Sequence, residues 1–211
     1  MKNTRAAEIM LHRIFLFFVG FTLFPALLVS LSWSHPHVFV YNGVTVVFDK
    51  NGLAGFEIGW AFDEMFSSMI ILDFDKNRNG RFEPSEVAGV EKGAFSNLRE
   101  FDYFTHIKIG KKPFKVRYVK DFSAEIENNI LIYRFFIPCH VRATHAWKEV
   151  KLSVYDREFY TSIFMAEHPV VFKNHGPFEV HRRIEKNKAE AYFYDQIYPD
   201  EATVRFRLKN G

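Results

Sequence analysis

The chain has 211 residues with 28 Lys and Arg against 25 Asp and Glu, and a single cysteine, Cys139. One cysteine excludes an internal disulfide framework, so a folded domain here must rely on its apolar core. Three of the basic residues, Lys2, Arg5 and Arg13, lie at the very start. Without the first 34 residues the balance falls to 25 against 24, so the calculated pI near 8.9 is not a nucleic-acid signature.

That basic start is followed by an apolar run over residues 14–31, broken by Pro25, and by Ser32-Trp33-Ser34 ahead of His35. A charged start, an apolar stretch and small residues at −3 and −1 describe a signal peptide over residues 1–34, cleaved before His35 on export to the periplasm. Eighteen apolar residues also reach the lower edge of a membrane span, so an uncleaved anchor is the competing reading. The remaining 177 residues suffice for one domain.

Cleavage there exposes His35-Pro36-His37. A free amine and imidazole on one residue, with a second imidazole two residues on, chelate metals that favour nitrogen: Ni²⁺, Co²⁺, Cu²⁺ or Zn²⁺. Pro36 has no amide proton and excludes chelation through successive deprotonated backbone amides. Two imidazoles do not complete a tetrahedral shell, so further ligands must come from elsewhere. The plain alternative is a rigid polar leader into the first strand.

Residues 38–41, 44–48 and 53–60 are rich in branched and aromatic side chains, with Asp49-Lys50-Asn51-Gly52 as the turn. Asp63 and Glu64 follow where this β pattern gives way to a helical one. Asp63 suits an N-terminal helix cap, with metal ligation as the sharper alternative. Asp156, at the end of a later strand, carries the same two readings.

Apolar residues at 62, 65, 66, 69, 70 and 74 predict a helix over 62–74, and those at 87, 90, 95, 98 and 101 a second over 87–101. Between them, residues 75–86 fit the EF-hand loop D-x-[DN]-x-[DN]-G-x₅-E at every defined position. Ca²⁺ takes six to eight oxygens, which explains Asp75, Asn77 and Asn79 at alternate positions. Gly80 allows the turn around the ion. Arg81 offers its backbone carbonyl, Glu83 a direct or water-mediated oxygen, and Glu86 a closing bidentate carboxylate. A register starting at Asp73 places Arg78 at the turn and fails.

Strand patterns return over 103–109, 114–120, 123–127, 130–137, 148–155, 162–165, 170–172, 178–184 and 203–208. Short strands with turns between them predict an antiparallel sandwich or meander. The fold class is therefore α+β: a single domain over 35–211 on a mainly antiparallel β scaffold, with an EF-hand-like helix–loop–helix inserted at about 62–101. A division near Lys120 into two halves is the alternative. No GxSxG, Walker or GxGxxG motif is present, and the ligand spacing around Cys139, His140 and His145 matches no metal motif. The expectation is a protein that is not an enzyme. A hydrolase with an unrecognised site has no residue pattern in its favour.

Several stretches together resemble a bacterial exported family known as domain of unknown function number one thousand and seven. They are His35-Pro36-His37-Val38, residues 60–67, Asp73-Phe74-Asp75 with Asn79, Gly80 and Glu86, Tyr103-Phe104-Thr105, Val154-Tyr155-Asp156, and Phe159-Tyr160. The resemblance implies a periplasmic component working beside a nickel/cobalt-type membrane permease. It carries no catalytic set, and the tail from Val170 matches none of its motifs. The leading expectation is a metal-binding accessory of a Ni, Co or Zn transport system, with Ca²⁺ as a structural cofactor in the loop. The alternative is a calcium-braced structural or interaction module with no transition-metal role.

Overall fold

The structure, a computed structural model, describes residues 36–209. The leader and His35 lie outside the described residues. Ten strands form two five-stranded sheets. One has the order β5–β6–β2–β1–β8, built from β1 (Val38–Asp49), β2 (Gly52–Phe62), β5 (Lys120–Glu127), β6 (Ile130–Arg142) and β8 (Thr161–Lys173). The other has the order β4–β3–β7–β10–β9, from β3 (Thr105–Ile109), β4 (Lys112–Phe114), β7 (Lys148–Val154), β9 (Phe178–Lys186) and β10 (Asp200–Leu208). The fold is α+β and mainly antiparallel, as the sequence led us to expect.

The alternation along β1 shows why the sheets pack. Val38, Val40, Asn42, Val44, Val46 and Phe48 all point inward, and the residues between them point out. From the facing sheet, the Phe206 ring of β10 meets Phe48 edge-on at 5.3 Å between centroids, and Phe178 of β9 lies at 5.2 Å. At the other end Trp60 packs edge-on against Phe135 at 5.0 Å. Both sheets thus share one aromatic-rich core.

Between β2 and β3 the chain leaves the sheets for two helices, α1 (Glu64–Phe74) and α2 (Pro84–Val90). Phe62 is the last residue of β2 rather than the first of a helix, and Asp63 caps α1. The second helix starts three residues earlier than its apolar spacing predicts, because Pro84 occupies a first-turn position where a missing N–H costs nothing. It does not run on to residue 101. A π turn (Glu91–Phe95) and a 3₁₀ segment (Ser96–Phe104), kinked at Asp102 and Tyr103, replace the regular helix. These turns seat Phe95 in the core, 4.1 Å from the Phe122 ring and 5.1 Å from Phe135.

Three strand expectations also change. Residues 38–41 and 44–48 belong to one long strand, as do 162–165 and 170–172. The expected strand 114–120 is mostly irregular, because residues 115–119 carry the chain from one sheet to the other, with Val116 buried on the way. One pair, β1 with β8, is parallel: the chain enters β8 by a crossover from β7 of the opposite sheet, not through a hairpin.

Candidate metal sites

The loop 75–86 is wound by its own side chains. Asp75 ends α1, its N–H donating to Ile71 O at 2.9 Å, and it is only 5% exposed. Its Oδ1 accepts the Asn79 N–H at 3.2 Å and its Oδ2 the Gly80 N–H at 2.9 Å. Asn77 Oδ1 accepts from Asn79 N–H, and Asn79 Oδ1 from Arg81 N–H, each at 2.9 Å. Gly80 sits at φ +76°, the left-handed region that a side chain resists.

The second half of the loop folds back on the first. Glu83 Oε2 and Oε1 accept the side-chain amides of Asn77 and Asn79, at 2.6 and 2.8 Å. Glu86 Oε2 accepts the Glu83 N–H at 3.0 Å, and Oε1 the Lys76 N–H at 2.8 Å. The Glu83 N–H, seconded by that of Lys76, holds the Glu86 carboxyl below the usual carboxylate range. Positions 1, 3, 5, 9 and 12 of the loop are thereby tied together, while Arg81 stays exposed at position 7. The donor set is all oxygen, the chemistry of a hard cation. Phe74 secures the base of this hairpin: its ring lies where a Cβ on Gly93 would sit 3.0 Å away.

Asp63 and Asp156 are both engaged by backbone. Asp63 Oδ1 caps α1 by accepting Phe66 N–H at 2.9 Å, and Oδ2 accepts Phe39 N–H at 2.8 Å, which stitches the start of β1 to the helix. Asp156 is buried, and its two oxygens accept the Glu158 and Thr161 N–H groups, each at 3.0 Å. His37 donates its N–H to Tyr160 O at 2.9 Å, with the two rings 4.8 Å apart. Val38 pairs with Thr161 and Val40 with Phe62, so His37, Asp63 and Asp156 gather at one end of the β1–β8 pair. They share that end without converging: among the described residues, no group of three or more His, Cys, Asp or Glu side chains, the loop's Asp75, Glu83 and Glu86 included, is close enough to hold a metal ion. Cys139 is buried in β6, which pushes its thiol up to about 12.

One polar cluster has no counterpart in the sequence reading. On the outer face of β3, β7 and β10, Lys108 pairs with Glu190 at 2.5 Å, and Lys151 with the buried Glu201 at 2.8 Å. Asn187 Nδ2 donates to the other Glu201 oxygen at 2.7 Å. The His106 ring lies 4.1 Å from that of Tyr155, beside a cavity of about 390 Å³. The alternating polar positions of β3 and β7 were its only trace in the sequence.

No helix among the described residues is long and apolar enough to cross a membrane. Two uncharacterised proteins are similar to this chain. A 15.5 kDa protein from Spirochaeta aurantia is 30% identical over 136 residues, 64% of this chain and 96% of its own length. A protein from Haemophilus influenzae is 25% identical over 138 residues, 65% of this chain and 66% of its own length. The family described as "Protein of unknown function (DUF1007)" matches residues 20–194, most of the sequence, and the chain belongs to that family.

Proposed function

We propose that this is an exported, periplasmic metal-binding accessory protein whose EF-hand-like loop holds a structural Ca²⁺. The reading further assigns His35 and His37 to a transition metal, Ni²⁺, Co²⁺ or Zn²⁺, handled for a membrane permease. The observation that carries it is the loop: Asp75, Asn77, Asn79, Glu83 and Glu86 are drawn into one turn by hydrogen bonds among themselves and their backbone. Loading the loop means that Glu83 exchanges the amide donors of Asn77 and Asn79 for the cation. Bound calcium supplies the positive charge that lets three carboxylates share one turn. Asp75 and Glu86, one on each side of the loop, then clamp α1 to α2 and fix Asp63 at the sheet–helix junction. The transport role rests on the family resemblance.

A second reading keeps the calcium brace and drops the transition metal. It is favoured by the structural duties of Asp63, which caps α1 and holds the start of β1, and of Asp156, which closes the turn into β8, neither of which calls for a metal. Isothermal titration of protein beginning at a native His35 separates the two. The first reading expects about one Ni²⁺, Co²⁺ or Zn²⁺ in addition to Ca²⁺, with the former lost in the His35→Ala, His37→Ala double variant and the latter in Glu86→Gln. Calcium binding alone supports the second reading. No calcium binding, or binding indifferent to Glu86→Gln, overturns both.

A further inference from the structure

α1 carries apolar side chains on its exposed side as well as on its buried one. Its most buried residue is Ser67, at 0% exposure, whereas Met65, Met69 and Leu72 are 70%, 52% and 73% exposed. The helix meets its core obligations on the other side, through Ile70 in the core and Phe66 and Phe74 packed against it. Residues 65, 69 and 72 stand at i, i+4 and i+7, and at 3.6 residues per turn these three positions fall within an arc of about 60°. Lys76 lies two residues beyond the end of the helix, in the turn that opens the loop.

The loop that follows the apolar row in the chain carries basic side chains. Lys76, Arg78 and Arg81 are exposed, and none of them forms an ion pair among the described residues. Asp73 lies on the flank of the row, and Glu64 at the end farthest from the cations. Met65, Met69 and Leu72 line none of the described cavities.

We propose that α1 and the tip of its loop dock the protein onto an anionic phospholipid surface. An exposed ridge of flexible thioethers and leucine inserts into a deformable acyl boundary, and the three cations then meet the phosphates at headgroup level. In its calcium dependence the inference rests on the loop reading above. Asp75, Glu83 and Glu86 offset Lys76, Arg78 and Arg81, so the loop side chains sum to zero charge and a bound Ca²⁺ makes the tip net positive.

The test is co-sedimentation of the full processed chain, starting at His35, with phosphatidylglycerol/phosphatidylcholine vesicles and with phosphatidylcholine alone, in millimolar calcium or EGTA. Binding is expected to anionic vesicles with calcium, to fall with added salt, and to drop roughly tenfold or more in a Met65→Ser, Met69→Ser, Leu72→Ser variant. A Lys76→Gln, Arg78→Gln, Arg81→Gln variant should lose the anionic preference. All six substituted positions are exposed, and circular dichroism checks that both variants fold. Ridge-dependent binding that ignores EGTA supports the docking and counts against the calcium loop. Calorimetric calcium binding without vesicle binding overturns the docking and leaves the loop reading standing. Ridge-dependent self-association without vesicle binding overturns it in favour of a second copy of the chain.

Discussion

The Ser67 hydroxyl accepts the backbone N–H of Leu131 at 3.0 Å across 64 residues of chain. The same hydroxyl lies 3.4 Å from Phe62 O, so one buried side chain ties α1 to the end of β2 and the start of β6. Ser67→Ala leaves the Leu131 donor without its partner in the core. Such a loss costs about 1–3 kcal/mol. Urea unfolding should show that decrease, and a change within experimental error would mean that the bond contributes nothing net.

Two glycines on β-strands are expected to respond oppositely to alanine. A Cβ on Gly55 would lie 2.2 Å from the Ile137 carbonyl oxygen and 2.6 Å from the Phe136 ring, whereas one on Gly43 meets nothing within 4 Å. Gly55→Ala must push two paired strands apart and should cost about 1–3 kcal/mol or more. Gly43→Ala should be neutral, or gain a few tenths of a kcal/mol from a less flexible unfolded chain. Thermal unfolding of the two variants decides this, and equal effects would contradict the geometry.

Burial lowers the pKa of His106 below its ordinary 6.5, and Arg157 pushes the same way; the Tyr155 carbonyl, Asp102 and Glu190 oppose them. In the window from 6.5 down to the folded value, the unfolded chain holds the proton and the folded chain does not. Stability therefore rises with pH through that window and is lost on acidification. His106→Asn should flatten that slope in urea unfolding measured from pH 7.5 downward. Glu190 acts at lower pH: its hydrogen bond from Lys108 lowers its pKa, so its contribution is present above the ordinary carboxylate value of 4.5 and fades below it.

The Tyr133 hydroxyl is buried with no hydrogen-bond partner among the described residues, and burial raises its pKa. A polar atom held so should favour its removal. Tyr133→Phe is expected to leave stability unchanged or raise it by up to about 1–2 kcal/mol, while the ring keeps its edge contact with Phe62. A clear loss in calorimetry would show that the hydroxyl has a partner in solution.

Much of this architecture was legible in single residues. Branched and aromatic side chains over 38–41, 44–48 and 53–60 with the Asp49–Gly52 turn gave the first hairpin, because strand preference and Asx turns are local effects, although the structure joins the first two stretches into one strand. The Asp63 cap was equally local. The break of the second helix was not, since it follows from where Phe95 must sit against Phe122 and Phe135, residues far along the chain. Nor was the Lys108–Glu190 and Lys151–Glu201 cluster, whose acids come from the segment of the tail that had suggested no role.

The sequence by itself determined the run of oxygen-bearing side chains in the 75–86 loop, the α+β class and the Asp49–Gly52 turn. These depend on residue type at fixed short spacing. Only the tertiary structure decided that β8 runs parallel to β1, that Asp63 and Asp156 use both their oxygens on backbone, and that α1 buries a serine while exposing two methionines and a leucine. Each of these depends on which distant backbone arrives beside the residue. Local spacing carries a helix's period but not which side of it the rest of the chain will cover.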